Sequence, residues 1–227
     1  MVFPMTLPPA VICYVHPDYV RAEFMASMLT LQRAAKTPIE AILHKHSGPL
    51  IASARNDLVS LFLNERKSDW LWMVDTDMIF TGDTLDRLLA AALDRDVKIM
   101  GGLCFADFEA EGVRPTLYET IQDETGRAGF VLAWYNQWPE DQVMEVGATG
   151  AACLLVHRDV FTRVAAGWQS EKVDRTWPWF RESTNGNRRV GEDVTFCLRA
   201  RVRGFTVNVH TGVKVGHMKS RMIGEVG

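Results

Sequence analysis

The sequence contains no glycine-rich phosphate loop. Neither GxGxxG nor GxxxxGK followed by Ser or Thr occurs in its 227 residues, so the loops those patterns build around phosphates are not to be expected. A strong charge of either sign is also missing. The net charge of -3 and a pI near 6.1 exclude a protein that holds duplex DNA by bulk electrostatics, though not one with a local basic groove. There is no CxxC pair. Cys13, Cys104, Cys153 and Cys197 are widely spaced among apolar neighbours, which reads as reduced core thiols and excludes a disulfide frame or a zinc site. No apolar run approaches the roughly 20 residues that span a bilayer. Met1 to Ala10 lacks a basic leader and holds Pro4, Pro8 and Pro9, so no signal peptide is expected and the chain is placed in the cytoplasm. Internal repeats and low-complexity segments are absent.

What is present is an ordinary globular composition, 47% hydrophobic and 23% charged, sized for one α/β domain with a sizeable core. The apolar runs Ala10–Val15, Ile39–His44, Trp70–Val74 and Val97–Leu103 predict strands. Val20–Lys36, Ile51–Asn64 and a segment capped by Asp83 or Thr84 and running to Leu93 predict helices. This alternation implies parallel βαβ units and a nucleotide-type half over about residues 10–105. The pattern then changes. Pro115–Ile121 and Gly129–Trp134 predict a hairpin around the turn Gln122–Arg127. Gln142–Val146 and Ala151–Val156 flank a glycine-bracketed connection, Gly147-Ala148-Thr149-Gly150. Asp159–Ala166 reads as a short helix that Asp159 caps. Trp168 to Arg189 has no period and is long enough to suggest a lid or binding loop. Val190–Arg203 predicts a helix, and Phe205–Val209 and Val213–His217 two further strands, so that about residues 106–217 form a donor and acceptor half with 218–227 as a tail.

Asp75-Thr76-Asp77 follows the most apolar strand. Carboxylates at i and i+2 leaving a strand point to one side, and a buried strand in an open α/β sheet ends at the ligand crevice. Hard oxygen ligands there suit Mg²⁺ or Mn²⁺ carrying a diphosphate. Two other segments can join them: Glu192-Asp193 ahead of an amphipathic helix, and His217 on a short apolar strand. An Asp, a His and two diphosphate oxygens make an octahedral site suited to Mn²⁺. Asp193 or Glu192 could then take the proton from an attacking hydroxyl. Each also has a structural reading. Asp-x-Asp is a common loop cap, acids at a helix start complement the macrodipole, and a single His near a C-terminus is usually surface.

The stretch Asp69–Met78 resembles the DxD strand of GT-A-fold glycosyltransferases. Gly191-Glu192-Asp193-Val194-Thr195-Phe196-Cys197-Leu198-Arg199, followed by Gly204 and His217, resembles the "ED" helix and metal-ligand histidine of family-2-like members. Gly147 to Leu155 resembles the glycine-rich strand lining their donor-sugar pocket. The resemblance implies a GT-A fold, an α/β architecture with a mixed, mostly parallel central sheet and flanking helices. It implies transfer of a sugar from a nucleoside-diphosphate sugar, a UDP-sugar first among them, to an acceptor hydroxyl, with Mn²⁺ or Mg²⁺. The acceptor is open: protein, glycan, small molecule or modified base. Carried over by position, Asp77 and His217 are metal ligands, with Asp75 at the ribose or the metal's water shell. Asp193 is the general base of an inverting transfer and Glu192 contacts a sugar. Ser53-Ala54-Arg55-Asn56 touches the nucleotide, Thr76 and Gly150 bind the nucleotide-sugar donor, and His16 at the end of the first strand lies where the base sits. Trp177 and Trp179 are expected to be exposed sugar-stacking surfaces, and Arg188 and Arg189 to belong to a closing lid. Arg199, Arg201 and Arg203 are read as a solvated helix face, and Trp70 and Trp72 as core or crevice residues. The alternatives are a nucleotidyltransferase, which the missing phosphate loop after the first strand disfavours, and a non-catalytic sugar- or nucleotide-binding module, which the intact set of acids and histidine disfavours.

Overall fold

The computed structural model describes residues 6–108, 112–122, 130–166, 179–185 and 188–219. Its first half alternates strands with helices, broken only by the two-residue β4: β1 (Ala10–His16), α1 (Ala22–Ala34), β2 (Ile39–His46), α2 (Ile51–Glu65), β3 (Trp70–Val74), β4 (Met78–Ile79), α3 (Thr84–Asp94) and β5 (Ile99–Leu103). Small strands dominate next: β6 (Phe105–Phe108), β7 (Gly112–Pro115), β8 (Leu117–Gln122), β9 (Phe130–Trp134), β10 (Val143–Val146) and β11 (Ala148–Thr149). The remainder is β12 (Cys153–His157), α4 (Arg158–Ala166), β13 (Ser183–Asn185), β14 (Arg188–Val190), α5 (Glu192–Val202), β15 (Val207–Lys214) and β16 (Gly216–His217).

Seven strands form the central sheet in the order β10-β15-β5-β12-β3-β1-β2. The strands β2, β1, β3, β5 and β15 share one direction, and β12 and β10 oppose them. The sheet is thus mixed and mostly parallel. Both its faces are covered, which explains why β3 and β5 are apolar at every position except glycine. The two-residue period of a strand sorts the side chains. Val11, Cys13, Leu71 and Met73 face a core built with α2, α4 and α5, whereas Ile12, Trp70, Trp72 and Val74 face one built with α1 and α3. Phe24 and Phe62 are fully buried, one in each core, and burial of a side chain of that size contributes about 1.5–3 kcal/mol. All four cysteines are free and buried. Among the described residues, no helix is long and apolar enough to cross a membrane.

Two expectations are corrected. Helix α4 begins at Arg158, so Asp159 lies in its first turn, where it complements the dipole without capping. The strand foreseen at Phe205–Val209 runs on to Lys214 as β15, with a register shift between His210 and Lys214, and the second foreseen strand, Val213–His217, is divided between the end of β15 and the separate β16. Arg87 Nη1 donates to Gly212 O (2.9 Å) and Thr211 Oγ1 to Pro139 O (2.6 Å), so side-chain bonds pin the backbone through the irregularity between the two foreseen strands. The ribbon β6–β7 has no counterpart in the sequence reading. The β8–β9 hairpin is antiparallel as expected, and most of its foreseen turn lies outside the described residues.

Asp86 joins α3 to the end of α1. It accepts from Lys36 N (2.8 Å), Thr37 N (2.8 Å) and Thr37 Oγ1 (2.6 Å). Asp86→Ala leaves a buried amide and hydroxyl of Thr37 unpaired, and is expected to cost about 3 kcal/mol, read as a lower urea midpoint at unchanged slope.

Candidate active site

The strand ends at Val74, so Asp75, Thr76 and Asp77 turn away from the sheet, with Met78 N donating back to Asp75 O at 3.1 Å. The chain re-pairs at once. Strand β4 runs antiparallel to β16, with Met78 opposite His217, and Met218 N donates to Asp77 O at 2.8 Å. A two-residue ribbon therefore delivers a histidine from near the C-terminus to the DxD turn. His217 Nε2 lies 2.9 Å from Asp77 Oδ2, and His217 Nδ1 lies 2.7 Å from Phe105 O. A carbonyl only accepts, so Nδ1 carries the hydrogen, and in the neutral ring Nε2 turns its lone pair toward the carboxylate. Two acceptors facing each other suit a shared cation, and a backbone carbonyl behind the ring is the usual support of a ligating histidine. Among the described residues, no group of three or more His, Cys, Asp or Glu is placed to hold a metal. Asp77 and His217 would thus supply two ligands, leaving the remaining positions to water or substrate oxygens, as Mg²⁺ and Mn²⁺ prefer.

The other acid of the turn has a different environment. Arg55, on α2, forks between Asp75 (Nη2 to Oδ1 2.8 Å, to Oδ2 3.0 Å) and Glu192 (Nη1 to Oε1 2.6 Å). The Arg55 side chain is only 6% exposed. Burial opposes its charge, but Asp75, Glu192 and Asp193 outweigh that effect and hold the guanidinium above its ordinary pKa. Burial pushes the Glu192 carboxyl up, against the lowering influence of Arg55. One arginine thus ties the DxD turn to the first turn of α5, Arg55 and Glu192 being 137 residues apart in sequence. It also lies 5.9 Å from the centre of the Phe180 ring.

Asp193 belongs to the same helix start but is turned elsewhere. Its Oδ1 accepts from Val194 N at 2.7 Å. A Cβ built on Gly150 would come within 3.4 Å of Asp193 Oδ2 and 3.6 Å of the Thr116 side chain, so the glycine leaves space on that side of the carboxylate. Tyr118, on β8, also feels Asp193. Burial first, and the carboxylate second, push its hydroxyl up to about 12. Sequence reasoning missed Tyr118, whose only signal was a place on a strand pairing with the glycine-bracketed segment, and Thr116, which immediately precedes that strand.

The structure thus brings together Arg55, Asp75, Thr76, Asp77, Gly150, Glu192, Asp193 and His217 around the ends of β3 and α5. Other expected site residues have partners of their own. Asn56 is buried, and its amide is spent on backbone, donating to Phe180 O (2.6 Å) and accepting from Trp179 N (3.2 Å) and Phe180 N (3.1 Å). Trp179 is 8% exposed, and its indole donates to Phe161 O at 2.9 Å. It is a core residue, and the expected exposed stacking surface is corrected. The aromatic run Trp-Pro-Trp-Phe suits either role, and the contacts of Trp179 with Phe161 and Asn56 decide it. Trp177 lies outside the described residues. His16 bonds to Pro17 O (2.7 Å) and His44 (3.1 Å), in a histidine cluster at the ends of β1 and β2 that no described contact joins to the acids. Arg188 pairs through its backbone with Asn185 in the β13–β14 ribbon. Arg189 Nε is 2.6 Å from Glu182 Oε2, which spends that charge on the ribbon.

No protein-family model and no curated protein matches the chain. Solved structures do. The crystal structure of A197 from STIV superposes with a TM-score of 0.59 at 16% identity, over 93% of this chain and 86% of that one. GalNAc-T7, a glycosyltransferase solved with UDP, GalNAc and Mn²⁺, superposes with a TM-score of 0.59 at 10% identity. That match covers 95% of this chain but 44% of the GalNAc-T7 chain. Identities this low show the fold alone, and the fold is GT-A-like, as the resemblance implied.

Proposed function

We propose that the protein is a divalent-cation-dependent glycosyltransferase that moves a sugar from a nucleoside-diphosphate sugar, a UDP-sugar first among candidates, to an acceptor hydroxyl. The approach of His217 Nε2 to Asp77 Oδ2 at 2.9 Å, with Phe105 O behind the ring, carries this reading. Asp77 and His217 hold the cation. When bound, Mn²⁺ or Mg²⁺ neutralises charge on the departing diphosphate. Arg55 holds Asp75 in place at the ribose or the cation's water shell. Asp193 takes the proton of the acceptor hydroxyl as the new bond from its oxygen to the sugar's anomeric carbon forms. The bond from that carbon to the diphosphate oxygen breaks, and the electron pair leaves with the nucleotide. Gly150 leaves room beside Asp193, and Glu192, fixed by Arg55, borders the sugar.

Donor hydrolysis tests this directly. UDP-, GDP- and dTDP-sugars are incubated with Mn²⁺, Mg²⁺ or EDTA, and free nucleotide is measured. Release from one donor that EDTA abolishes is the expected result. No release, together with no thermal shift from any donor in Mn²⁺, would remove the glycosyltransferase reading and leave the fold without this chemistry.

A further inference from the structure

Two nitrogens approach one oxygen of Asp77. His217 Nε2 lies 2.9 Å from Oδ2 and Lys219 Nζ lies 3.5 Å from the same atom. The two approaches differ in kind. His217 is anchored through Nδ1 to Phe105 O, so its nitrogen stays where it is. The Lys219 side chain is 49% exposed, and its described partner is Asp77. A four-carbon stem carrying a compact positive charge can leave Asp77 without disturbing the ribbon that places His217.

We infer that Lys219 is a resident counter-charge that competes with the divalent cation for Asp77 and passes to the donor diphosphate when the cation binds. This makes cation and nucleotide binding mutually dependent. The inference rests on the function proposed above. An ammonium and a divalent ion repel each other and cannot share one carboxylate oxygen, so the cation must displace Lys219. The displaced ammonium is then a short reach from the one polyanion the site is proposed to receive, and lysine binds phosphate as a point charge. Cation alone must evict Lys219 into water; cation with diphosphate gives it a new partner. The coupling is reciprocal, so nucleotide tightens cation binding by the factor by which cation tightens nucleotide binding.

Lys219→Met in the full chain separates the two halves of this exchange because they change in opposite directions. Titration calorimetry with Mn²⁺ alone is expected to show binding about two- to fivefold tighter than wild type, the range a half-exposed ion pair permits. Titration of UDP, GDP and dTDP at saturating Mn²⁺, read for whichever binds best, is expected to show binding at least about threefold weaker, so the coupling factor falls. Lys219→Arg, which keeps the charge, stays near wild type in both. The thermal midpoint does not move, since Lys219 lies beyond the last strand. Unchanged or weaker Mn²⁺ affinity in Lys219→Met overturns the inference, as does unchanged nucleotide affinity. Asp77→Asn identifies the binding event being read. If wild type takes up Mn²⁺ and Asp77→Asn does not, a null result at Lys219 removes only the counter-charge role. If wild type takes up no Mn²⁺ with or without nucleotide, the cation-dependent function itself is removed, and this inference with it.

Discussion

Asp77→Asn is expected to lower donor turnover about a thousandfold or more while leaving the folded state in place. The change swaps a charged ligand for a neutral amide of the same shape. A bound cation contributes several kcal/mol to stabilising the charge that develops on a leaving group, and each 1.4 kcal/mol lost is a factor of about ten in rate. The Asp77 side chain is 33% exposed, and its backbone carbonyl, not its carboxylate, carries the bond from Met218 N. The ribbon therefore survives the substitution. The circular-dichroism spectrum and thermal midpoint should match wild type, and added Mn²⁺ should no longer shift that midpoint. A variant that loses its folded signal would mean that the carboxylate is structural, and one that keeps full cation-dependent turnover would remove Asp77 from the site.

Arg55→Met should have the opposite profile, a large loss of stability before any question of turnover arises. The arginine is buried between two partly buried carboxylates, 24% and 16% exposed. Removing one partner of such a cluster leaves uncompensated charge, at a cost of about 3 kcal/mol or more. The pH dependence carries the signature. Burial already raises the Glu192 carboxyl, and loss of Arg55, which lowers it, raises it further. A carboxyl raised in the folded state contributes stability that is present below its unfolded value and lost as pH rises through the folded one. The deficit of Arg55→Met relative to wild type should therefore be largest at neutral pH and shrink as the solution is acidified and Glu192 takes a proton. Urea midpoints of the two proteins at pH 7.5 and 5.5 measure it. A deficit that grows toward low pH would show that the arginine does not act through this carboxylate. Arg55→Lys should fall between, because an ammonium keeps the charge but cannot fork to two acids at once.

Both residues could be found in the sequence, for different reasons. Asp77 was visible because an acid pair follows a five-residue apolar strand and is joined, in order along the chain, by Glu192-Asp193 and His217, and β3 occupies the predicted residues, Trp70–Val74. Arg55 was visible only through a resembled segment. Its actual role, a bridge to Glu192, depends on α2 and α5 lying against the same face of the sheet, which no local pattern encodes. The elements that periodicity found best are those buried on both faces or along a wide stripe. Those it missed or divided wrongly, the β6–β7 ribbon and the continuous β15, hold their shape through long-range side-chain bonds such as Arg87 to Gly212. Trp179 shows the same limit in one residue. An aromatic beside a proline in an aperiodic stretch reads as exposed, and a single indole bond to Phe161 O together with the amide of Asn56 seats it in the core.

The place of β12 bears on how the chain must come together during synthesis. Strand β5 is made early, yet its sheet neighbours are β12 and β15, whose residues emerge later. Until Cys153–His157 exists, β1, β2 and β3 can associate but β5 has nothing to add itself to, and until Val207–Lys214 follows, its other edge stays open. Exposed edges of this kind invite pairing with the wrong chain, and closing them requires contacts between distant residues, which form slowly. A nascent chain paused just after Leu103 would hold β1, β2 and β3, the unattached apolar strand β5, and an unfinished DxD turn still waiting for its histidine.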